Sequence, residues 1–323
     1  MMYRDNSIDL LKFLAVLLIT NSHFDKLYPE SISFLGTGGA IGDALFFFCS
    51  GFTLFLKPMG QFDNWYKKRI SRVYPTILSW SIILAFVLNK DQSIKEIILT
   101  GGGWFVNCIL IYYIVLYFIN KFFSQYLNWT FIIFTLGTII VYCLWEKGED
   151  FKMYGFTFYK WIFFFLYMLM GAIIGKKSIT LKWISSFIGL FISLFGFYVI
   201  LIISKRCVEF NNLQLLSLVP LCGIVIFLYT LCNCNKIKSI LKKKYIGGTI
   251  LFLGGMCLEI YITQNYFLTI DLKLPFPLNF IVMIAIIIIA SYFLKCTSKL
   301  FLQTFSKNEY SWKEIFNILP TNK

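Results

Sequence analysis

Charge is scarce in this sequence. Asp, Glu, Lys and Arg make up 14% of its 323 residues, against about 25% in an ordinary soluble domain. Histidine is scarcer still, with His23 as the only one. No hydrophilic stretch is long enough for an extra soluble domain, and no internal repeat of fixed period occurs. Apolar residues come in long runs and lack the strict alternation of an outer-membrane barrel. These shortages exclude a soluble enzyme, a disordered chain and a barrel. They also bear on metals: Cys232-Asn-Cys234 has too few further ligands with a lone, distant histidine, so no metal is expected. The nine cysteines fall mostly inside apolar runs, Cys49, Cys108, Cys143, Cys222 and Cys257 among them. There they behave as small hydrophobes, which excludes a secreted disulfide scaffold.

What is abundant is apolar length: 58% of the residues are hydrophobic and 20% aromatic. Runs of about 17–25 residues suit membrane crossing, and ten are expected, at 7–25, 36–56, 73–89, 104–120, 129–146, 159–175, 183–204, 213–233, 248–270 and 277–296. The fold class is therefore all-α, a polytopic integral membrane protein. The first run is not read as a cleaved signal, since Asp9 and Lys12 interrupt it and no small-residue cleavage site follows.

The net charge of +14 would suggest nucleic acid in a soluble chain. In a membrane protein its distribution matters more. With the N-terminus placed inside, the inner loops hold 20 basic residues and the outer loops 9. The inner set includes Arg4, Lys57, Lys67, Lys68, Arg69, Arg72, Lys295, Lys307 and Lys323, and the outer set includes Lys90 and Lys160. By the positive-inside rule both termini are cytoplasmic, and the excess reads mostly as topology, with no nucleic-acid partner. From 297 to 323, Phe301, Phe305, Trp312 and Phe316 alternate with Lys299, Lys307 and Lys313. That pattern is expected to form a cytoplasmic amphipathic tail on the inner membrane surface.

Ionisable side chains inside a bilayer are costly, about 2.5–3.5 kcal/mol each at mid-depth on insertion scales, and are functional candidates by default. Five stand out: Asp9, Lys12, His23, Asp43 and Glu259. Lys12 and His23 are eleven residues apart, so on a helix they share one stripe about 16.5 Å long. Asp9 lies within about 40° of it. Interhelical polar contacts would account for each residue singly. His23 has the unperturbed pKa of a base suited to neutral pH. Asp43, early in the next run, is a carboxylate that could orient and charge-stabilise an imidazole.

Other groups are placed at the run ends. Arg69-Ile-Ser-Arg72 puts two guanidinium groups on one helix face, a geometry that suits phosphate; positive-inside anchoring explains the same residues. Gly101-Gly102-Gly103-Trp104-Phe105 combines close backbone approach with an aromatic platform for a sugar ring; a tight turn with an interfacial tryptophan is the plainer account. Glu259, Tyr261, Thr263, Gln264 and Asn265 crowd polar groups into the ninth run, and they must face the bundle.

Taken together, Lys12-x10-His23, Asp43-Ala-Leu-Phe46-Phe47-Phe48-Cys-Ser50-Gly51-Phe52, Lys68-Arg69-Ile-Ser-Arg72-Val-Tyr74-Pro75, Trp104-Phe105 and Glu259-Ile-Tyr261 resemble the acyltransferase-3 family. These are bacterial multi-pass membrane O-acyltransferases acting on surface carbohydrates. The specific matches lie in residues 4–112 and 258–265, and the layout extends the likeness over a transmembrane acyltransferase domain at 1–296. Many members carry a histidine where this chain has Gln264, so no catalytic role passes to that position.

The resemblance implies transfer of an acyl group, usually acetyl from acetyl-CoA as co-substrate, to a carbohydrate hydroxyl at the bacterial cytoplasmic membrane. His23 would be essential. Arg69, Arg72 and Lys12 then fall to the phosphates of the donor, whose pantetheine arm matches the Lys12–His23 stripe. Asp43 would support His23, and Trp104, Glu259 and Tyr261 would meet the acceptor. General-base catalysis and an acyl-histidine intermediate both remain open. Two rival readings stand beside it: a polysaccharide or small-solute transporter using an intramembrane proton relay, and an inactive assembly subunit. Transport is disfavoured by the lack of inverted-repeat symmetry and of Gly/Pro-broken runs in matching halves.

Overall fold

Long apolar runs can satisfy their backbone groups inside a bilayer only as helices or closed barrels. The computed structural model of the chain is helical in all ten runs. It describes residues 6–55, 59–88, 93–99, 101–145, 147, 151–155, 157–206, 208–306 and 309–318, and no strand occurs among them. Arg4, Leu56, Lys57, Asn89, Lys90, Glu146, Lys307 and Lys323, which belong to the charge balance or the run boundaries, lie outside the described residues. The α-helices are α1 (Asn6–His23), α2 (Gly39–Phe55), α3 (Phe62–Phe86), α4 (Ile94–Leu99), α5 (Gly103–Phe123), α6 (Leu127–Leu144) and α7 (Lys160–Lys176). They continue with α8 (Trp183–Arg206), α9 (Leu218–Cys232), α10 (Asn235–Leu241), α11 (Lys244–Gly255), α12 (Cys257–Phe267), α13 (Leu278–Thr304) and α14 (Trp312–Phe316).

Among the described residues, six segments are long and apolar enough to cross a membrane: Glu30–Phe55, Gly103–Phe123, Leu127–Leu144, Trp183–Lys205, Asn212–Cys232 and Leu278–Thr304. A seventh arises if α11 and α12, bent by 65° at Met256, count as one span. The three other runs fall short for physical reasons. α7 has only 17 residues. α1 carries Asp9, Lys12 and a polar last turn. α3 starts at Phe62, eleven residues before the apolar run, and so takes Lys67, Lys68, Arg69 and Arg72 into its own body.

The chain divides into two compact units. The first comprises Met1–Ala15, Ala40–Pro58 and Leu116–Lys244. Within it α2 meets α7 backbone to backbone: a Cβ at Gly51 would collide with the Met168 carbonyl, and one at Gly171 with the Phe48 carbonyl. Gly175, one turn on, sits where a Cβ would lie 3.0 Å from the Phe52 oxygen. Phe47 packs on Phe164, and Tyr229 of α9 against both Phe48 and Phe52. α8 and α9 pair closely, with the Thr230 hydroxyl donating to Ser186 Oγ at 2.9 Å. The loop before α7 is tied down by Gln214, whose Oε1 accepts from the Met153 amide and whose Nε2 donates to the Phe151 carbonyl.

The second unit comprises Val16–Gly39, Met59–Val115 and Tyr245–Lys323. Its centre is the mutual packing of α3, α12 and α13. Entry to α4 is fixed by a capping box: the Ser93 amide and hydroxyl both donate to Glu96 Oε2, and the Glu96 amide donates back to Ser93 Oγ. These bonds hold the Glu96 carboxyl below its usual pKa. The expected tail does not begin as a separate helix at 297, because α13 runs through to Thr304. Beyond it Ile315 of α14 is buried, and Lys299 Nζ donates to the carbonyls of Glu314 and Asn317.

The glycine contacts lead to a stability prediction. Gly51→Ala or Gly171→Ala should lower stability by about 1–3 kcal/mol or more, because the colliding atoms are backbone. Gly137→Ala, which would meet nothing within 4 Å, should cost nothing. Thermal unfolding of the purified protein in detergent compares the three.

Candidate functional site

The bend between α11 and α12 falls at Gly254-Gly255-Met256 and places Glu259 in the first turn of α12. A helix N-terminus presents unpaired amides and a partial positive charge, so a carboxylate is favoured there even when enclosed. Glu259 is 1% exposed. Its Oε1 accepts from Thr76 Oγ1 of α3 at 3.1 Å and from Lys295 Nζ of α13 at 2.9 Å. Its Oε2 is buried and has no hydrogen-bond partner. Thr76 also shares a hydrogen bond with Ser298, and Thr263 one with Ser291 at 2.9 Å. Glu259 with Lys295 and Thr263 with Ser291 are successive rungs of an antiparallel register between α12 and α13, four residues apart on both helices.

Thr76 belongs to a stripe of α3 that also holds Trp65, Arg69 and Arg72, at the spacing of one helix face. Arg69 is half-buried, with its guanidinium carbon 4.9 Å from the Trp65 ring centre and its Nε buried without a hydrogen-bond acceptor. Arg72 is exposed and its like charge acts on Arg69. Two crowded guanidinium groups, one with an unfilled donor, make a site that an anion would complete. An open groove of about 470 Å³ runs along a different face of α3, lined by Phe62, Tyr66, Ile70, Tyr74 and Leu302 among others. None of the residues expected from sequence lines it.

His23 is the last residue of α1 and is exposed. The chain after it is held in place. Asn21 Nδ2 donates to the carbonyls of Leu35 and Thr37, and its Oδ1 accepts from the Tyr28 hydroxyl at 2.7 Å. Asn279 Nδ2 donates to the Leu27 carbonyl, while Phe24 and Tyr28 pack their rings on Phe280. The imidazole therefore stands at a solvent-accessible helix end beside a fixed loop.

α5 opens at Gly103, whose φ of +67° is the left-handed region that favours glycine. A Cβ there would lie 3.0 Å from the Tyr261 hydroxyl. Tyr261 is buried and its ring lies 5.4 Å from that of Phe105, which in turn meets half-buried Trp104 edge-on. One turn along α12, Gln264 Oε1 accepts from Thr20 Oγ1 of α1 at 2.9 Å. The second unit thus gathers His23, Arg69, Arg72, Trp104, Glu259 and Tyr261. Of these, Trp104 and Tyr261 are joined through Phe105, and Arg69 and Arg72 share one face. Lys12 and Asp43 belong to the first unit. Both are half-buried, and the charge acting on Asp43 is that of buried Lys160.

A family model described as an acyltransferase domain matches residues 5–296. The chain belongs to the acyltransferase-3 family. No curated protein and no solved structure matches it. With its apolar helices, this makes the chain a membrane protein with an acyltransferase domain.

Sequence reading of this acyltransferase missed three groups. By sequence Lys295 and Lys160 count among loop charges, yet Lys295 pairs with Glu259 and Lys160 is 6% exposed. A lysine at the edge of an apolar run looks the same whether it snorkels to water or turns inward. Asn21 fixes the loop after His23, and a polar residue near a helix end gives no hint of such a clamp. The Gly254-Gly255 pair was the legible signal for the broken ninth run.

Glu259 is buried while the Lys295 side chain is 26% exposed, and leaving a buried carboxylate unpaired costs more than removing both charges. Lys295→Met should destabilise the acyltransferase by about 1.5–3 kcal/mol, whereas Glu259→Gln/Lys295→Met together should recover a large part of that loss. A double-mutant cycle on thermal unfolding in detergent measures the coupling.

Proposed function

We propose that the protein is a membrane O-acyltransferase that moves an acyl group, acetyl in the first instance, from cytoplasmic acetyl-CoA to a hydroxyl of a cell-envelope or exported carbohydrate. The observation that carries this reading is the family match over residues 5–296. In this reading the chain crosses a bacterial cell membrane ten times with both termini cytoplasmic. The basic residues gathered in its inner loops support that topology.

His23 serves as general base. It takes the proton of the sugar hydroxyl as that oxygen bonds to the thioester carbonyl carbon. The tetrahedral intermediate collapses by breaking the C–S bond, and the coenzyme A thiolate leaves and collects a proton. Exposure of His23 beside a fixed loop supports this role. Arg69 and Arg72 bind donor phosphate; the unfilled Arg69 Nε supports it. Trp104 and Tyr261 form the acceptor wall, and the part of Glu259 in acceptor binding rests on the family resemblance. The parts of Lys12 in donor binding and of Asp43 in catalysis rest on the family resemblance alone.

One observation favours transport as the second reading: a bent helix pair with a buried carboxylate, Glu259, beside the break.

Membranes containing the protein should transfer label from acetyl-CoA to an envelope glycan, and His23→Ala should reduce the rate at least about a hundredfold. Arg69→Ala/Arg72→Ala should raise the apparent KM for acetyl-CoA more than that for the acceptor. Mass spectrometry of the glycan, with and without the protein, should show a difference of one acyl group. No label transfer, with solute flux in reconstituted vesicles lacking acyl-CoA, would make transport the function.

A further inference from the structure

Gln264 is fully buried, at 0% exposure, and its amide is only half used. Thr20 Oγ1 donates to Oε1 at 2.9 Å. That leaves Nε2, a group with two N–H donors, buried without a hydrogen-bond acceptor. Native interiors rarely tolerate such a donor unless water or a ligand completes it.

The surroundings indicate what the ligand is. Gln264 and Tyr261 are three residues apart on α12 and share a face. The Tyr261 hydroxyl meets Gly103 at the start of α5, and its ring meets Phe105, next to Trp104. Thr20 and His23 are likewise three apart near the end of α1. The free N–H groups therefore belong to a pair of helix faces that carry the imidazole on one side and an aromatic wall on the other. An uncharged amide donor suits a hydroxyl or carbonyl oxygen, and in the reading given above the donor phosphates fall to Arg69 and Arg72.

We propose that Gln264 is a substrate-binding residue whose side-chain amide donates a hydrogen bond to an oxygen of the carbohydrate acceptor, and that Thr20 is the positioning residue that aims it. The assignment rests on the acyltransferase reading given above. Gln264 thus fixes which sugar oxygen is presented to His23, and the acceptor is recognised by polar atoms as well as by ring stacking.

The test uses the full-length protein in detergent, acetyl-CoA carrying a labelled acetyl group, and glycan extracted from envelopes of cells lacking the protein. Gln264→Leu keeps most of the side-chain volume and removes the donor. Half-saturation by the glycan should rise about tenfold or more, while the KM for acetyl-CoA stays within about twofold. Thr20→Val, which leaves Gln264 in place but unaimed, should shift glycan half-saturation in the same direction by a smaller factor. It decides the matter if Gln264→Leu fails to fold. Unchanged glycan half-saturation in either folded variant overturns the proposal, as does a fall in kcat with both half-saturation values unchanged, which would put the amide on the thioester oxygen. If the unaltered protein transfers no label, it is the acyltransferase reading that fails.

Discussion

A carboxylate inside an apolar bundle is the constraint on which the second unit is built. Isolated, an ionised Glu259 would cost several kcal/mol of desolvation, and the sequence meets that cost three times over. A broken helix supplies amide dipoles at its first turn, Lys295 supplies the countercharge, and Thr76 supplies a neutral donor. Each device comes from a different helix. Satisfying one side chain therefore fixes α3, α12 and α13 in register, and the Thr263–Ser291 rung extends that register by a turn. Helices in lipid gain little from hydrophobic burial against one another, so polar rungs and small residues must specify their pairing.

The same logic explains which helices look least like membrane spans. α1 and α3 are weakened as apolar segments by the side chains that make them interesting, Lys12 and His23 on one, Arg69 and Arg72 on the other. The α11–α12 run is broken next to Glu259. Helices whose role is to face lipid, such as α6 and α8, carry no such burden and are almost uniformly apolar. Ionisable side chains in these helices come at the expense of local hydropathy.

Helix positions were legible because a 17–25-residue apolar run has few alternatives in a bilayer, and runs such as 129–146 and 183–204 correspond closely to α6 and α8. The start of α3 was not legible, since amphipathic residues such as Trp65 and Tyr66 extend a helix outside the apolar window without changing its hydropathy signal. Candidate residues could be chosen one by one, because a charge in lipid is expensive whatever its partner. Their partners could not. Nothing in the spacing of Glu259 and Lys295 marks them as a pair, since the contact depends on how α12 and α13 are set against each other. Gln264 reads in sequence as a bundle-facing polar residue with no catalytic role passed to it, and its burial and half-satisfied amide are visible only in the fold.

The glycines of α2 and α7 bear on movement within the first unit. Packed helices usually adjust to a ligand by shear, one row of side chains slipping past the next through small rotamer changes. Here the Met168 and Phe48 carbonyls occupy the hollows left by Gly51 and Gly171, and at those two points no side chain lies between the helices to deform. α7 could slide along α2 only after the two had separated. Whatever rearrangement a catalytic cycle demands of this unit falls instead on pairs that meet through side chains, as α8 and α9 do.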